Sequence, residues 1–181
     1  MTTCVSLFRG INVGGHQVRM NELKELHEAF GLRDVITYIQ TGNVVFTCND
    51  ADVAQLPRQI EESFAEKFGF QSKVVVRTSA ELEEIIANNP FRDQPMKESK
   101  WVVVMFLAAL PVGTAREDIR QAYAGPEEIF IIGQEVYIYY PDGIGRSKLT
   151  GVLLEKKLKT MGTARNWNTV LTLQKMLQHQ A

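Results

Sequence analysis

Three polar stretches, two of them glycine-rich, hold most of the residues able to do chemistry in this 181-residue chain. In GIGRSKL, Gly143 and Gly145 let backbone approach a ligand, Ser147 offers a hydroxyl, and Arg146 and Lys148 add two cations. The stretch follows a strand-like run and opens a helix-like one, a setting that attracts anions. TARNWNT places Arg165, Asn166 and Trp167 at a second helix start, where guanidinium could grip a carboxylate or phosphate and the indole could stack on a ring. RGINVGGHQVRM repeats the cast with Arg9, Gly10, Asn12, Gly14 and Gly15, followed by His16 and Arg19. YIQTGNVVF adds Tyr38, Gln40 and Asn43 around a turn.

Each stretch also has a purely structural reading. Asp142-Gly143 makes a turn, Ser147 caps a helix, and Arg146 and Lys148 are solvated. Trp167 fills core while Asn166 or Asn168 serves as an N-cap, and Asn43 satisfies neighbouring backbone. Neither familiar phosphate fingerprint fits: a P-loop needs its Gly-Lys-Ser/Thr ending, and a dinucleotide GxGxxG needs glycine where Lys148 stands.

The elements that position these stretches follow from periodicity. Residues 1–78 spell β-α-β-β-α-β: strand 3–9, a helix through Leu23, Leu26 and Phe30 with Gly31 as C-cap, a hairpin of 34–40 and 43–48 turned at Thr41-Gly42, a helix through Ile60, Phe64 and Phe68 with Pro57 in its first turn, and strand 72–77. Thr78 and Glu81 form a capping box opening a connecting helix that Asn89-Pro90 stops, and NPFRDQPMKES reads as linker. Residues 100–166 repeat the order: a buried strand, a short helix capped by Thr114 with Glu117, a hairpin turned at Gly133-Gln134, a helix over SKLTGVLLEKKLK and a short strand. A final amphipathic helix runs through Val170, Leu173, Met176 and Leu177. The expected fold is therefore α+β, two ferredoxin-like halves with an added C-terminal helix. The expected divisions are 1–78, a connecting 79–99, and 100–181.

Composition narrows the function classes. A net charge of −1 gives no global field toward nucleic acid or anionic membrane, and 45% apolar residues can fill a core. No stretch reaches membrane-spanning length, so a cytoplasmic location is expected. Cys4 and Cys48 lack CxxC spacing and read as small buried hydrophobes, and the scattered His16, His27 and His179 have no metal-ligand spacing; no metal or cofactor is expected.

RGINVGG, YIQTGNVVF, VVVRTSAELEEIIANNPF, YYPDGIGRSKL and TARNWNT, in this order, resemble the bacterial family known as domain of unknown function 1697. The resemblance implies a two-part α+β fold of ferredoxin-like halves and carries no established activity.

Three functions are compatible with these residues. The leading one is binding of an anionic ligand, a nucleotide, phosphorylated metabolite or nucleic-acid end, in a composite cleft whose walls are RGINVGG and the Tyr140–Thr169 stretch. RNA recognition through the sheet face is a weaker variant, because GNVVFTC lacks an RRM signature. The second is an enzyme on a small phosphorylated or carboxylated substrate, with His16, Tyr38, Asp142 or Lys148 as acid-base candidates and no catalytic set singled out. The third is a protein-interaction module that uses exposed sheet faces and edges.

Overall fold

The β-prone run at the N-terminus becomes strand β1, Thr2–Phe8, and every residue after Thr2 in it is buried. Burial of successive residues means that both faces of the strand are covered, since side chains alternate across a strand. The computed structural model describes residues 1–180.

The chain divides into two compact units, one of residues 1–84 with 172–181 and the other of residues 85–171. In the first, β1 is followed by α1 (Met20–Glu28), β2 (Arg33–Tyr38), β3 (Asn43–Cys48), α2 (Leu56–Phe68), β4 (Val74–Thr78) and the start of α3 (Ser79–Ala87). Its sheet is antiparallel with order β2-β3-β1-β4. In the second, β5 (Val102–Leu107), α4 (Ala115–Ala122), β6 (Glu128–Ile132), β7 (Glu135–Tyr139), α5 (Gly151–Leu158) and β8 (Gly162–Asn166) form a sheet of order β6-β7-β5-β8, also antiparallel. α6 (Trp167–Gln180) closes the described chain. The fold is α+β, with two four-stranded antiparallel sheets and six α-helices among the described residues. None of these helices is long and apolar enough to cross a membrane.

In the first unit, Leu23 and Leu26 of α1 and Ile60 and Phe64 of α2 pack with Phe8, Val44, Phe46 and Val76 of the sheet. Pro57 lies in the first turn of α2, where its missing N–H breaks no helical bond. In the second, Ala115 and Ile119 of α4 and Leu154 and Leu158 of α5 pack with Val103, Met105, Val136 and Ile138. The capping box at α3 forms: Glu81 N–H donates to Thr78 Oγ1 at 3.2 Å, and Thr78 N–H donates to Glu81 Oε2 at 2.7 Å.

Five local expectations are corrected. The first hairpin turns over 39–42 rather than at Thr41-Gly42 alone, because Ile39 already has φ 48° and Asn43 Nδ2 closes the turn onto Tyr38 O and Thr41 Oγ1. α1 ends at Glu28 rather than running to Gly31, whose φ of 75° instead turns the chain after a tightened last turn. Thr114 does not cap α4; its hydroxyl donates to Asp118 Oδ2 at 2.8 Å and leaves the helix N–H groups alone. α5 starts at Gly151, capped by Thr150 Oγ1 accepting from Leu153 N–H at 3.2 Å, so Ser147 is not its N-cap. The linker reading of NPFRDQPMKES also changes: Phe91 is 3% exposed and packs on Phe130 and Tyr139.

Candidate functional site

α4 presents two faces. Ala115 and Ile119 turn inward, and Arg116 and Arg120, one turn apart, are exposed on the flank beside β6. Between them lies a cavity of about 390 Å³, lined from α4 by Arg116, Ile119 and Arg120 and on the other side by Gly125 and residues 127–131. Ile119, Ile129 and Ile131 give it an apolar floor continuous with the core of this unit.

The cavity's two carboxylates are already compensated. Glu127 accepts from Tyr123 Oη at 2.6 Å and from Ser147 Oγ, while Leu149 N–H donates to Ser147 Oγ at 3.0 Å. Burial alone would raise the Glu127 carboxyl, but the hydrogen bonds from Ser147 and then Tyr123 outweigh it and hold it below the usual value. The same hydrogen bond to Glu127 raises the Tyr123 phenol, with burial adding to it. Gly125 makes this possible: a Cβ there would lie 2.1 Å from Tyr123 Oη. Glu128 pairs with Lys97 Nζ at 2.5 Å, and Lys97 also sits over the Phe91 and Tyr139 rings. Arg116 and Arg120 make no ion pair among the described residues. The uncompensated charge on the wall is positive.

The residues expected from the sequence fall into two groups. In the first unit, Asn12 draws RGINVGG onto the 39–42 turn. Its Nδ2 donates to Gln40 O at 2.8 Å and to Val18 O at 3.1 Å, and its Oδ1 accepts from Val18 N–H at 2.6 Å. Arg9 is tied through its backbone to Lys73 and Ser72, Asn43 is fully buried, and Gly10, Gly14 and Gly15 all have positive φ. Asn12 thus spends its amide on backbone, and Asn43 donates to the Tyr38 carbonyl and the Thr41 hydroxyl. Of the acid-base candidates here, exposed His16 stacks on Phe70 with centroids 4.1 Å apart, and Tyr38 is half-buried at the end of β2.

In the second unit, Gly143 has φ 82° and passes close to Trp101, where a Cβ would lie 2.9 Å from the ring. Gly145, Arg146 and Lys148 are exposed, as is Asp142, and Ser147 reaches Glu127. Because the helix begins four residues later, GIGRSKL does not present its cations at a helix N-terminus. Asn166 donates to Lys100 O at 2.7 Å and caps α6 by accepting from Asn168 N–H at 3.0 Å. It borders a smaller cavity of about 140 Å³ with Trp101, Tyr140 and Ile144. Burial raises the Tyr140 phenol to about 12.

Arg165 and Trp167 are buried, at 7% and 8% exposure. Val103 pairs with Asn166 and Val104 with Arg165, so the side chains of Asn166 and Arg165 leave opposite faces of the sheet. Arg165 bonds Thr163 Oγ1 and Ala164 O, both at 2.8 Å, and burial lowers its guanidinium to about 10. The ring beside the glycine turn is Trp101 rather than Trp167. Sequence reasoning missed Trp101, Arg116, Arg120, Tyr123 and Glu127; an Arg-x-x-x-Arg flank ending in tyrosine was the available signal. Among the described residues, no group of three or more His, Cys, Asp or Glu could hold a metal ion.

Two antiparallel sheets, each with its own helices, and a cation-walled cavity beside one edge strand define a two-unit α+β protein. The chain belongs to the family described as Protein of unknown function (DUF1697), whose model matches residues 1–137. That span includes α4 and β6 and stops before Ser147. The chain is similar in fold to the structure of a conserved bacterial protein, SP0830, from Streptococcus pneumoniae, with TM-score 0.78 and 24% identity over 98% of this chain and 99% of that one. No curated protein matches the sequence.

Proposed function

We propose that the protein binds an anionic ligand with an apolar body in the cavity between α4 and β6. The observation that carries this reading is the charge pattern: Glu127 and Glu128 are already satisfied, while Arg116 and Arg120 face the same cavity without a carboxylate. An anion entering there gains two guanidinium contacts and disrupts no existing pair. A volume of about 390 Å³ and an apolar floor suit an organic anion better than a bare inorganic one. GIGRSKL keeps a part in this reading, since Ser147 donates to one oxygen of Glu127 and Arg146 and Lys148 are exposed in the same connection.

Binding is favoured over catalysis for a physical reason. A carboxylate held below its usual value is a weak proton acceptor at neutral pH, so Glu127 is poorly suited to activate Ser147. The common strand order and the β-α-β-β-α-β sequence of elements support reading each unit as ferredoxin-like and the chain as a duplication. Arg77 and Arg165, each the fourth residue of the last strand in its unit and each donating to the preceding carbonyl, are in keeping with that origin.

The test is a thermal-shift screen with inorganic phosphate, nucleotides, sugar phosphates, short oligonucleotides and aryl carboxylates. A ligand at a hundredfold excess over its Kd adds about 2.7 kcal/mol of stability. The shift should vanish in the Arg116→Gln/Arg120→Gln double variant and persist in Arg146→Ala. A shift unchanged by the double substitution, or none with any anion, overturns the proposal.

A further inference from the structure

We infer that the occupant of the α4–β6 cavity is an acidic peptide segment that adds to β6 as a further strand; this rests on the anion-binding reading above. β6 is the edge of its sheet and, among the described residues, pairs with β7 alone. The two-residue turn at Gly133-Gln134 makes Ile132 and Glu135 the hydrogen-bonded pair, and alternation then turns the backbone N–H and C=O of Ile129 and Ile131 toward the open edge. The cavity meets that edge as well as one face, because consecutive residues 127–131 all line it: Ile129 and Ile131 belong to the core on the α4 side, whereas Phe130 packs on Phe91.

The corresponding edge strand of the first unit's sheet, β2, is protected. β2 carries an irregularity between Arg33 and Ile36, has Asp34 at φ 54°, and engages Gln180 Nε2 through Asp34 O at 2.6 Å. Such bulges and covering contacts block strand addition. β6 has a continuous register, no proline, and a single charge, Glu128, that Lys97 neutralises.

Charge complementarity selects the peptide. Arg116 and Arg120 are one helical turn apart, about 6 Å along the axis. Alternate side chains of an extended strand recur every 6.6 Å or so. A strand with acidic residues at alternate positions therefore offers its carboxylates at the spacing of the two guanidiniums, while its backbone meets Ile129 and Ile131.

The probe is a fluorescent nine-residue peptide alternating glutamate and valine, titrated by anisotropy against the intact chain. Saturable binding is expected, weakened about tenfold by either Arg116→Gln or Arg120→Gln. It should be lost when alternate peptide amides are N-methylated and when lysine replaces glutamate. Both arginines are exposed, so unchanged melting temperatures will show that the variants fold. Equal binding of the N-methylated peptide, or indifference to both substitutions, overturns the inference. If small anions give an arginine-dependent shift and the peptide does not bind, strand addition fails while the anion site stands; if neither binds, both fail. Light scattering that shows β6-dependent pairing of two copies in place of peptide binding also overturns it.

Discussion

The Ser147 hydroxyl donates to the Glu127 carboxylate across 20 residues of chain, fastening the connection after β7 to the segment that enters β6. Tyr123 donates to the other carboxylate oxygen at 2.6 Å. Removing one donor by Ser147→Ala or Tyr123→Phe should cost about 1 kcal/mol in urea denaturation. The double variant should lose less than the sum if Glu127 then turns to Arg116 or Arg120. Anion binding at the cavity should weaken in parallel.

His27 supplies a pH dependence. Its Nε2 lies 2.8 Å from Ser6 Oγ and its Nδ1 2.8 Å from Leu23 O, so the neutral ring donates from Nδ1 to the carbonyl and accepts from Ser6. Full burial lowers its pKa from 6.5 to about 4. The unfolded chain thus takes up this proton at higher pH than the folded one. The His27 contribution is fully present above pH 6.5 and is lost as pH falls toward 4, by up to roughly 3 kcal/mol. Urea midpoints measured across that window should fall, and the Ser6→Ala/His27→Leu variant should show a flatter profile.

Gly42 and Gly14 separate strain from crowding. Both have positive φ, but a Cβ at Gly42 would lie 2.4 Å from Ile11 Cδ1 and 2.8 Å from Phe8 Cβ, whereas one at Gly14 meets nothing within 4 Å. Gly14→Ala should cost about 1 kcal/mol from backbone strain alone. Gly42→Ala adds overpacking and should cost at least about 2 kcal/mol by chemical denaturation.

Cys4 and Cys48, on neighbouring strands, bring their sulfurs to 3.8 Å as free thiols. Burial pushes both thiols up, leaving little thiolate to react. An aromatic disulfide reagent should label neither in the native protein and both after denaturation. Rapid native labelling would contradict this packing.

Periodicity alone determined much of the fold. Alternating and continuous apolar runs place β1, β3, β5 and β7, and the helical spacing of Leu23 with Leu26 and of Ile60 with Phe64 places α1 and α2, because burying those side chains is the dominant local demand. Turn chemistry carried the Gly133-Gln134 hairpin and the Thr78–Glu81 cap, both made by residues close in sequence. The roles of Asn43 and Trp167 were open in the sequence, and both side chains are buried in the structure. Hydrogen bonds within the 39–42 turn and core packing take precedence over display.

What only the tertiary structure decided is which distant groups cancel one another. Arg116 and Arg120 look like any solvated helix flank until Ile119, the β6 edge and a satisfied Glu127 surround them. Glu127 and Ser147, or Glu128 and Lys97, carry no pattern in sequence because their pairing depends on how a loop and a hairpin pack. Arg165 and Asn166 are adjacent in the chain, yet strand alternation sends them to opposite faces. Charge left over after such pairing is a property of the assembled unit, and that remainder marks the cavity.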